Sequence, residues 1–319
     1  MEELKINGKA VIEREQSETG FDSAEREQAR PVIRGKAIYS TKGAAREYGR
    51  IGCNFYTGCP HGCTYCYLKR GAPSKQLGSN VVQLKKCFKD EADAARILCK
   101  ELDKHLEQCQ RYGIFLSFTT DPLIPNTREL TGIAITEALA CDIPVWILTK
   151  NASFIYDEDF MAWMDAINPT YRDRIHFGFT LTGRDDMEPK ASTNYDRIMA
   201  MRYMYLKGFS TFASIEPVID WPSAESIVRQ ALPWCDHFKL GLRSGVKKDY
   251  YDIAESGAAI QRIVRTVENA ELIPGTFKKT IYLKESTRIL LRQYFQPGAY
   301  EAFLSHTVDM DGNFITKNK

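Results

Sequence analysis

The sequence predicts an α/β fold, a full or partial barrel of parallel strands, and three observations predict it. Short apolar strands alternate with helical segments of about 10–15 residues over most of the chain, the spacing that parallel strands joined by right-handed crossovers require. No Gly-rich phosphate turn follows a strand, which argues against a doubly wound dinucleotide fold. Polar residues stand at the strand ends, namely Ser117, Thr119, Asp121, Lys150, Thr180, Thr182, Glu216 and Arg243, and a parallel barrel gathers its functional groups at one end of its strands.

The elements follow in order. Good helix formers cover Glu91–Arg111, and the apolar strand IFLSFTT follows at Ile114–Thr120, stopped by Asp121-Pro122. A helix over Glu129–Ala140 leads to the strand PVWILT at Pro144–Thr149. A helix over Asp157–Ile167 precedes the strand RIHFGFTLT at Arg174–Thr182. Tyr195–Lys207 has an amphipathic pattern ended by Gly208, and Ser210–Val218 reads as the next strand. Ser223–Leu232 is helical, His237–Leu242 a strand, Tyr251–Ala270 a helix and Lys279–Lys284 a strand.

The chain has 319 residues, 44% hydrophobic and 26% charged, enough to bury a core without a metal or disulfide staple. Residues 1–35 are charged and poor in apolar periodicity; they read as an N-terminal extension, partly helical around Ser23–Arg30. Residues 36–295 form the barrel domain and 296–319 a C-terminal tail. No apolar run approaches about 18 residues, so no membrane span is expected, and the charged start lacks a secretory h-region. A cytoplasmic location follows as the expectation. The net charge of +2 from 43 basic and 41 acidic residues neither demands nor excludes a polyanionic partner.

Nine cysteines, four of them within residues 53–66, are an odd number in a long chain, which favours a metal site in a reducing compartment over a disulfide framework. Cys59, Cys63 and Cys66 make a C-x3-C-x2-C loop that can wrap three thiolates round one iron–sulfur cluster, leaving one iron of four without a protein ligand. A zinc site that also used Cys53 would have spacings unlike the paired C-x2-C knuckles usual for zinc. Cys53 reads as buried or beside the ligands, and Cys87, Cys99, Cys109, Cys141 and Cys235 as inert small hydrophobes. His61 reads as solvent-facing or packed over the cluster, not as a ligand.

This motif, with Tyr65 before its third cysteine, resembles the radical S-adenosylmethionine superfamily. The resemblance implies a 4Fe–4S cluster on Cys59, Cys63 and Cys66, and Tyr65 beside the adenine of S-adenosylmethionine. It also implies reductive cleavage to a 5′-deoxyadenosyl radical that abstracts hydrogen from substrate, with an external donor such as flavodoxin or ferredoxin supplying the electron. Within the superfamily, residues 50–220 resemble the spore photoproduct lyase-related group, often labelled DNA repair photolyase-like. The likeness rests on the cysteine stretch with its Tyr65-Cys66-Tyr67 close, on Ser117–Asp121, on Thr149-Lys150, and on Thr180 followed by Glu188-Pro189 and Arg197. It implies that Lys150 and Thr180 contact the methionine part of the cofactor, with Ser117 or Thr119 nearby. Asp121 and Glu188 read either as functional groups or as turn residues.

One departure stands out. Phe118 occupies the position of the lyases' hydrogen-donating cysteine, so thymine-dimer repair is doubtful. The substrate implied by the likeness is a nucleic-acid base, with Lys69, Arg70, Arg184, Lys190, Arg243, Lys247 and Lys248 as loop cations that can meet phosphate. The alternatives are radical modification of a peptide or small metabolite and, third, a zinc-bearing nucleic-acid-binding module.

Overall fold

The computed structural model describes residues 31–71, 74–247, 249–272 and 278–315, so the helix expected at Ser23–Arg30 lies outside the described residues. Its frame is an eight-stranded sheet in the order β1 (Ile38–Ser40), β2 (Ile51–Cys53), β5 (Ile114–Leu116), β6 (Val145–Thr149), β7 (Ile175–Thr180), β8 (Ser210–Val218), β9 (His237–Leu242), β10 (Thr280–Leu283). Only β1 runs antiparallel to its neighbour; every pairing from β2 to β10 is parallel, as the βα alternation predicts. A separate two-stranded ribbon, β3 (Tyr56–Thr57) with β4 (Gln83–Leu84), flanks the cysteine loop.

The sheet is an incomplete barrel. β1 and β10 are its edges and do not pair; residues 47–48, in the connection from β1 to β2, bridge the gap instead. Glu47 accepts from the Tyr282 hydroxyl at 3.0 Å and from the Glu285 amide at 2.7 Å, and Lys239 donates to the Glu47 carbonyl at 3.0 Å. Side chains thus close what backbone pairing leaves open.

Five of the described helices start where short polar side chains cap them. Asp90, Asp157, Asp220 and Asp252 each accept from an amide three residues on, and Thr193 with Asp196 forms a reciprocal capping box. The expected helix Glu91–Arg111 is two helices, Glu91–Lys104 and Leu106–Tyr112, broken at His105. The helix expected at Glu129–Ala140 begins earlier, at Pro125, where proline's missing N–H costs nothing. Among the described residues no helix is long and apolar enough to cross a membrane. Beyond β10 the chain forms helices Glu285–Tyr294 and Pro297–Leu304, and Val308 then bridges to Tyr282.

The strand expected at Ile114–Thr120 stops at Leu116. Past that point side chains, not a strand ladder, satisfy the backbone: Asn54 accepts from the Phe118 amide, Ser117 donates to the Thr120 carbonyl and Thr119 to the Tyr56 carbonyl. The strand expected at Arg174–Thr182 likewise ends at Thr180.

The two faces of the sheet differ in chemistry. Ile147, Phe177, Phe179, Ala213, Ile215, Phe238, Leu240, Ile281 and Leu283 form the fully buried apolar face, packed in the main core with the helices. The alternate positions face the lumen. Thr180, Ser214, Lys239 and Tyr282 are in register across β7–β10, with Gly178, Phe212, His237 and Thr280 in register one layer below. Trp146 stacks flat on His176 at 4.5 Å near the N-terminal ends of β6 and β7, where both rings are half-buried.

Gly178 is a place where only glycine fits. A Cβ there would stand 2.0 Å from the Phe212 ring, so the ring lies across β7 and fills the lumen floor. Gly178→Val is expected to destabilise the chain by about 1–3 kcal/mol in urea unfolding, as overpacked cores do. Adding Phe212→Ala should recover part of that loss; no recovery would mean that the ring is not what the new side chain meets.

Candidate active site

The cysteine loop hangs between β3 and a short turn at Tyr67–Lys69, and four strand ends hold it. His61 reaches Asp121, just beyond β5. The Lys190 amide donates to the His61 carbonyl at 3.1 Å and the Thr64 amide to the Met187 carbonyl at 3.0 Å, both in the connection after β7. Tyr65 donates to Glu188 in that same connection, and Cys63, Tyr65 and Ile219, the last just beyond β8, pack as one small apolar group. Lys150, just beyond β6, lies with its ammonium 5.5 Å from the Tyr65 ring. The loop therefore sits over the C-terminal ends of the parallel strands.

Cys59, Cys63 and Cys66 line one opening together with His61, Leu68 and Lys69. Cys63 is buried, while Cys59 and Cys66 are half-buried. Burial pushes the Cys59 thiol up to about 12, Asp121 adds to this, and Lys150 opposes it. Burial raises Cys63 too, again against the pull of Lys150. Burial thus favours the protonated thiols of Cys59 and Cys63, and Lys150 pulls both towards the thiolate a metal needs.

This donor set fits an iron–sulfur cluster better than a single ion. Among the described residues no three His, Cys, Asp or Glu side chains converge closely enough to hold one metal ion, yet three thiols share one opening. Cys53 is not part of it: it is fully buried on β2 in the main core. A four-cysteine zinc site including Cys53 is therefore not formed. Of the cysteines expected to be inert hydrophobes, Cys109 and Cys235 are buried, Cys99 and Cys141 half-buried, and Cys87 is exposed in a turn.

Asp121 is the hub. Its Oδ1 accepts from the Leu123 amide at 2.9 Å and the Thr149 hydroxyl at 2.7 Å; its Oδ2 accepts from the Lys150 amide and from His61 Nε2, both at 2.7 Å. Burial alone would raise its carboxyl, but the His61 ring and these amides outweigh burial and hold it below the usual carboxylate range. Asp121 is thus a positioning group with its lone pairs already occupied. His61 is buried and not solvent-facing, because both ring nitrogens have protein partners, Asp121 and the Lys190 carbonyl.

A second buried network backs Tyr65. Arg197 is fully buried; it donates to the Thr180 carbonyl at 2.6 Å, to Glu188 Oε2 at 2.5 Å and to the Ser192 carbonyl at 2.9 Å. Glu188 also accepts from Thr182 and Tyr65, and Arg197 and Lys150 overcome its burial to keep it ionised. Glu188 fixes Tyr65 from behind. Of the sequence-predicted residues, Tyr65 and Lys150 thus join the three cysteines, and Thr180 joins through Arg197. Ser117 and Thr119 lie on the segment after β5, where their hydroxyls are committed to backbone carbonyls.

The lumen holds a group the sequence reading named only in part. Glu216 was read as a strand-end polar residue, but not its partners. Tyr48 donates to Glu216 Oε2 and is 2.6 Å from the Ser214 hydroxyl, and Lys284 donates to Glu216 Oε2 at 2.6 Å. Lys239 donates to the Glu47 and Tyr48 carbonyls at 3.0 and 3.3 Å. Burial, helped by Lys284, pushes the Lys239 ammonium down to about 7. The available signal was lysine in the lumen phase of otherwise apolar strands, HFKLGL and TIYLK.

Two of the seven loop cations are tied to protein partners. Arg184 pairs with Asp186 and Asp220, both at 2.8 Å, and Arg70 donates to the Ser244 carbonyl at 2.8 Å. Lys248 lies outside the described residues.

No family model matches the chain. An uncharacterized protein of Methanocaldococcus jannaschii, MJ0683, is 24% identical over 240 residues, covering 68% of this chain and 83% of that protein. Among solved structures, Streptococcus suis SuiB bound to S-adenosylmethionine is 12% identical with a TM-score of 0.48, covering 79% of this chain and 55% of its own. SuiB bound to its precursor peptide SuiA is 12% identical with a TM-score of 0.44, covering 81% and 58%. The chain spans little more than half the length of these SuiB chains.

Two outcomes follow from this geometry. Asp121→Ala leaves His61, Thr149 and the Lys150 amide without their acceptor and is expected to cost about 3–5 kcal/mol in chemical denaturation; a loss under 1 kcal/mol would remove Asp121 as the hub. Lys239 carries a folded-state pKa below its ordinary value of 10.5. Its penalty is full below about pH 7 and fades as pH rises from there towards 10.5, because the folded chain sheds a proton that the unfolded chain keeps. Wild type should therefore gain stability relative to Lys239→Met over that interval, and a pH-independent difference would contradict the shift.

Proposed function

We propose that this chain is a radical S-adenosylmethionine enzyme. The observation that carries the reading is that Cys59, Cys63 and Cys66, without Cys53, line one opening in a loop over the C-terminal ends of parallel strands. Three thiolates would hold a 4Fe–4S cluster and leave one iron for the amino and carboxylate groups of S-adenosylmethionine. When bound, the reduced cluster supplies the electron that cleaves the sulfonium to methionine and a 5′-deoxyadenosyl radical.

The chain's own residues do the rest. Lys150 is the point charge for the cofactor carboxylate, supported by its position beside the Tyr65 ring and its pull on Cys59 and Cys63. The Tyr65 hydroxyl is held by Glu188, which leaves the ring to meet the adenine. Ser117 and Thr119 already spend their protons on backbone carbonyls, so towards a cofactor ammonium they act as acceptors. Thr180 at the end of β7 lines the same side through its Arg197-bound carbonyl. Reduction falls to an external flavodoxin- or ferredoxin-like donor.

The substrate we infer is a peptide or small metabolite and not a nucleic-acid base. Arg184 is neutralised by two aspartates and Arg70 is tied to a carbonyl, so neither offers phosphate a ready partner. Phe118 stacks on Phe115 at 4.7 Å, with no thiol in that position to return hydrogen to a repaired base.

Anaerobic reconstitution with iron and sulfide, then dithionite and S-adenosylmethionine, is expected to yield 5′-deoxyadenosine. Cys63→Ala should lose both the product and the cluster's absorbance; full retention of iron and cleavage would refute the ligand assignment. Lys150→Ala should weaken S-adenosylmethionine binding by about tenfold or more, the scale of one charge-assisted hydrogen bond. Tightly bound zinc without cleavage would instead support the binding-module reading.

A further inference from the structure

We propose that Glu216 is the specificity carboxylate of the barrel lumen, taking a guanidinium or primary ammonium group of the substrate between its Oε1 and the half-buried ring of Phe118. The inference rests on the reading above, since the group it names belongs to the substrate of that same lumen.

The sheet is built to present this carboxylate. Between Ile215 and Val218 the β8–β9 register shifts, with Ile215 opposite Leu240 and Val218 opposite Leu242. Pro217 cannot donate to a ladder, and an irregularity of this kind re-aims the side chain beside it. On the facing strand Gly241 makes room: a Cβ there would stand 2.8 Å from Glu216 Cδ and 2.8 Å from Lys284 Cδ. A larger residue at 241 would displace the pair.

One oxygen of Glu216 is spent and the other is offered. Both of its hydrogen bonds among the described residues, from Tyr48 and Lys284, fall on Oε2. The Glu216 side chain is 23% exposed, whereas that of its partner Lys284 is only 2% exposed. Closing the barrel edge explains the contacts on Oε2, but it leaves the accessible Oε1 without a task.

A row of rings leads from Glu216 to a half-buried aromatic face. Tyr48, which bonds Glu216 and already carries the Lys284 ammonium 4.3 Å from its ring, lies 5.6 Å from the buried Phe115. Phe115 stacks on the half-buried Phe118, whose ring is the face left for a substrate cation. Phe118 is fixed from both sides, its amide donating to Asn54 and its carbonyl accepting from Tyr67. Ring faces attract guanidinium and ammonium groups, and a carboxylate adds a charge-assisted bond. The charges nearby lean the same way. Glu47 and Glu216 face one firmly paired cation, Lys284, while Lys239 bonds only to carbonyls and is pushed towards neutrality by its burial.

The test is isothermal titration of the full, unreduced chain with L-argininamide, against L-citrullinamide (similar shape, no charge) and cytidine. Argininamide should bind at least about tenfold more tightly than either, Glu216→Gln should lose about tenfold or more, and Phe118→Leu several-fold. Phe118→Leu leaves the ion pairs untouched, so its loss cannot be blamed on a broken barrel edge. No binding of argininamide, equal binding of citrullinamide or cytidine, or unchanged affinity in both variants would overturn the proposal. The triple variant Cys59→Ala, Cys63→Ala, Cys66→Ala should keep argininamide binding while losing 5′-deoxyadenosine formation. Failure of this proposal is thus visible apart from failure of the radical reading.

Discussion

A buried carboxylate bonded on both oxygens holds this site together. Asp121 joins the end of β5 to the end of β6 through Thr149 and the Lys150 amide, and it joins both to the cysteine loop through His61. An ionised carboxylate is tolerated in such a place only when its lone pairs are answered, and here four donors answer them. The geometry of the thiols is therefore inherited from the sheet. The Glu188–Arg197 pair repeats the device on the other side, tying Tyr65 to the end of β7.

The same logic explains why the barrel does not close through its backbone. Its edges, β1 and β10, do not pair with each other, and the Glu47–Tyr48 segment spans the gap with hydrogen bonds to β9, β10 and the helix that follows. Side chains used for closure bring charge into the lumen, and the polar layer of Thr180, Ser214 and Lys239 stands above the aromatic floor of Trp146, His176 and Phe212.

Electrostatics sort the lysines into different tasks. Lys150 is half-buried and acts on the thiols; Lys284 is buried but neutralised by Glu216 and Glu47; Lys239 is buried and answered only by carbonyls. Lys239, with carbonyls and no carboxylate in hydrogen-bond reach among the described residues, is the one whose ammonium burial pushes down.

The parallel βα order was legible in the sequence because alternation of apolar strands with capped helices is a local property; Asp157, Thr193 and Asp220 mark helix starts within a few residues. The grouping of Cys59, Cys63 and Cys66 was legible for the same reason, since seven or fewer residues separate the three. Local pattern could not show that Cys53, only six residues from Cys59, faces the core, because that depends on which face of β2 the helices cover. Nor could it foresee β5 ending at Leu116, where Asn54 and Tyr56 take over the backbone bonds. Glu216 was visible as a strand-end residue, but Tyr48, Lys239 and Lys284 come from separate elements as far as 236 positions apart in the chain. The sequence by itself determined the order of elements and the identity of the thiol loop. Tertiary structure alone decided which charges meet, because an ion pair in a barrel lumen is set by strand register and sheet curvature, which bring together residues with no sequence relation.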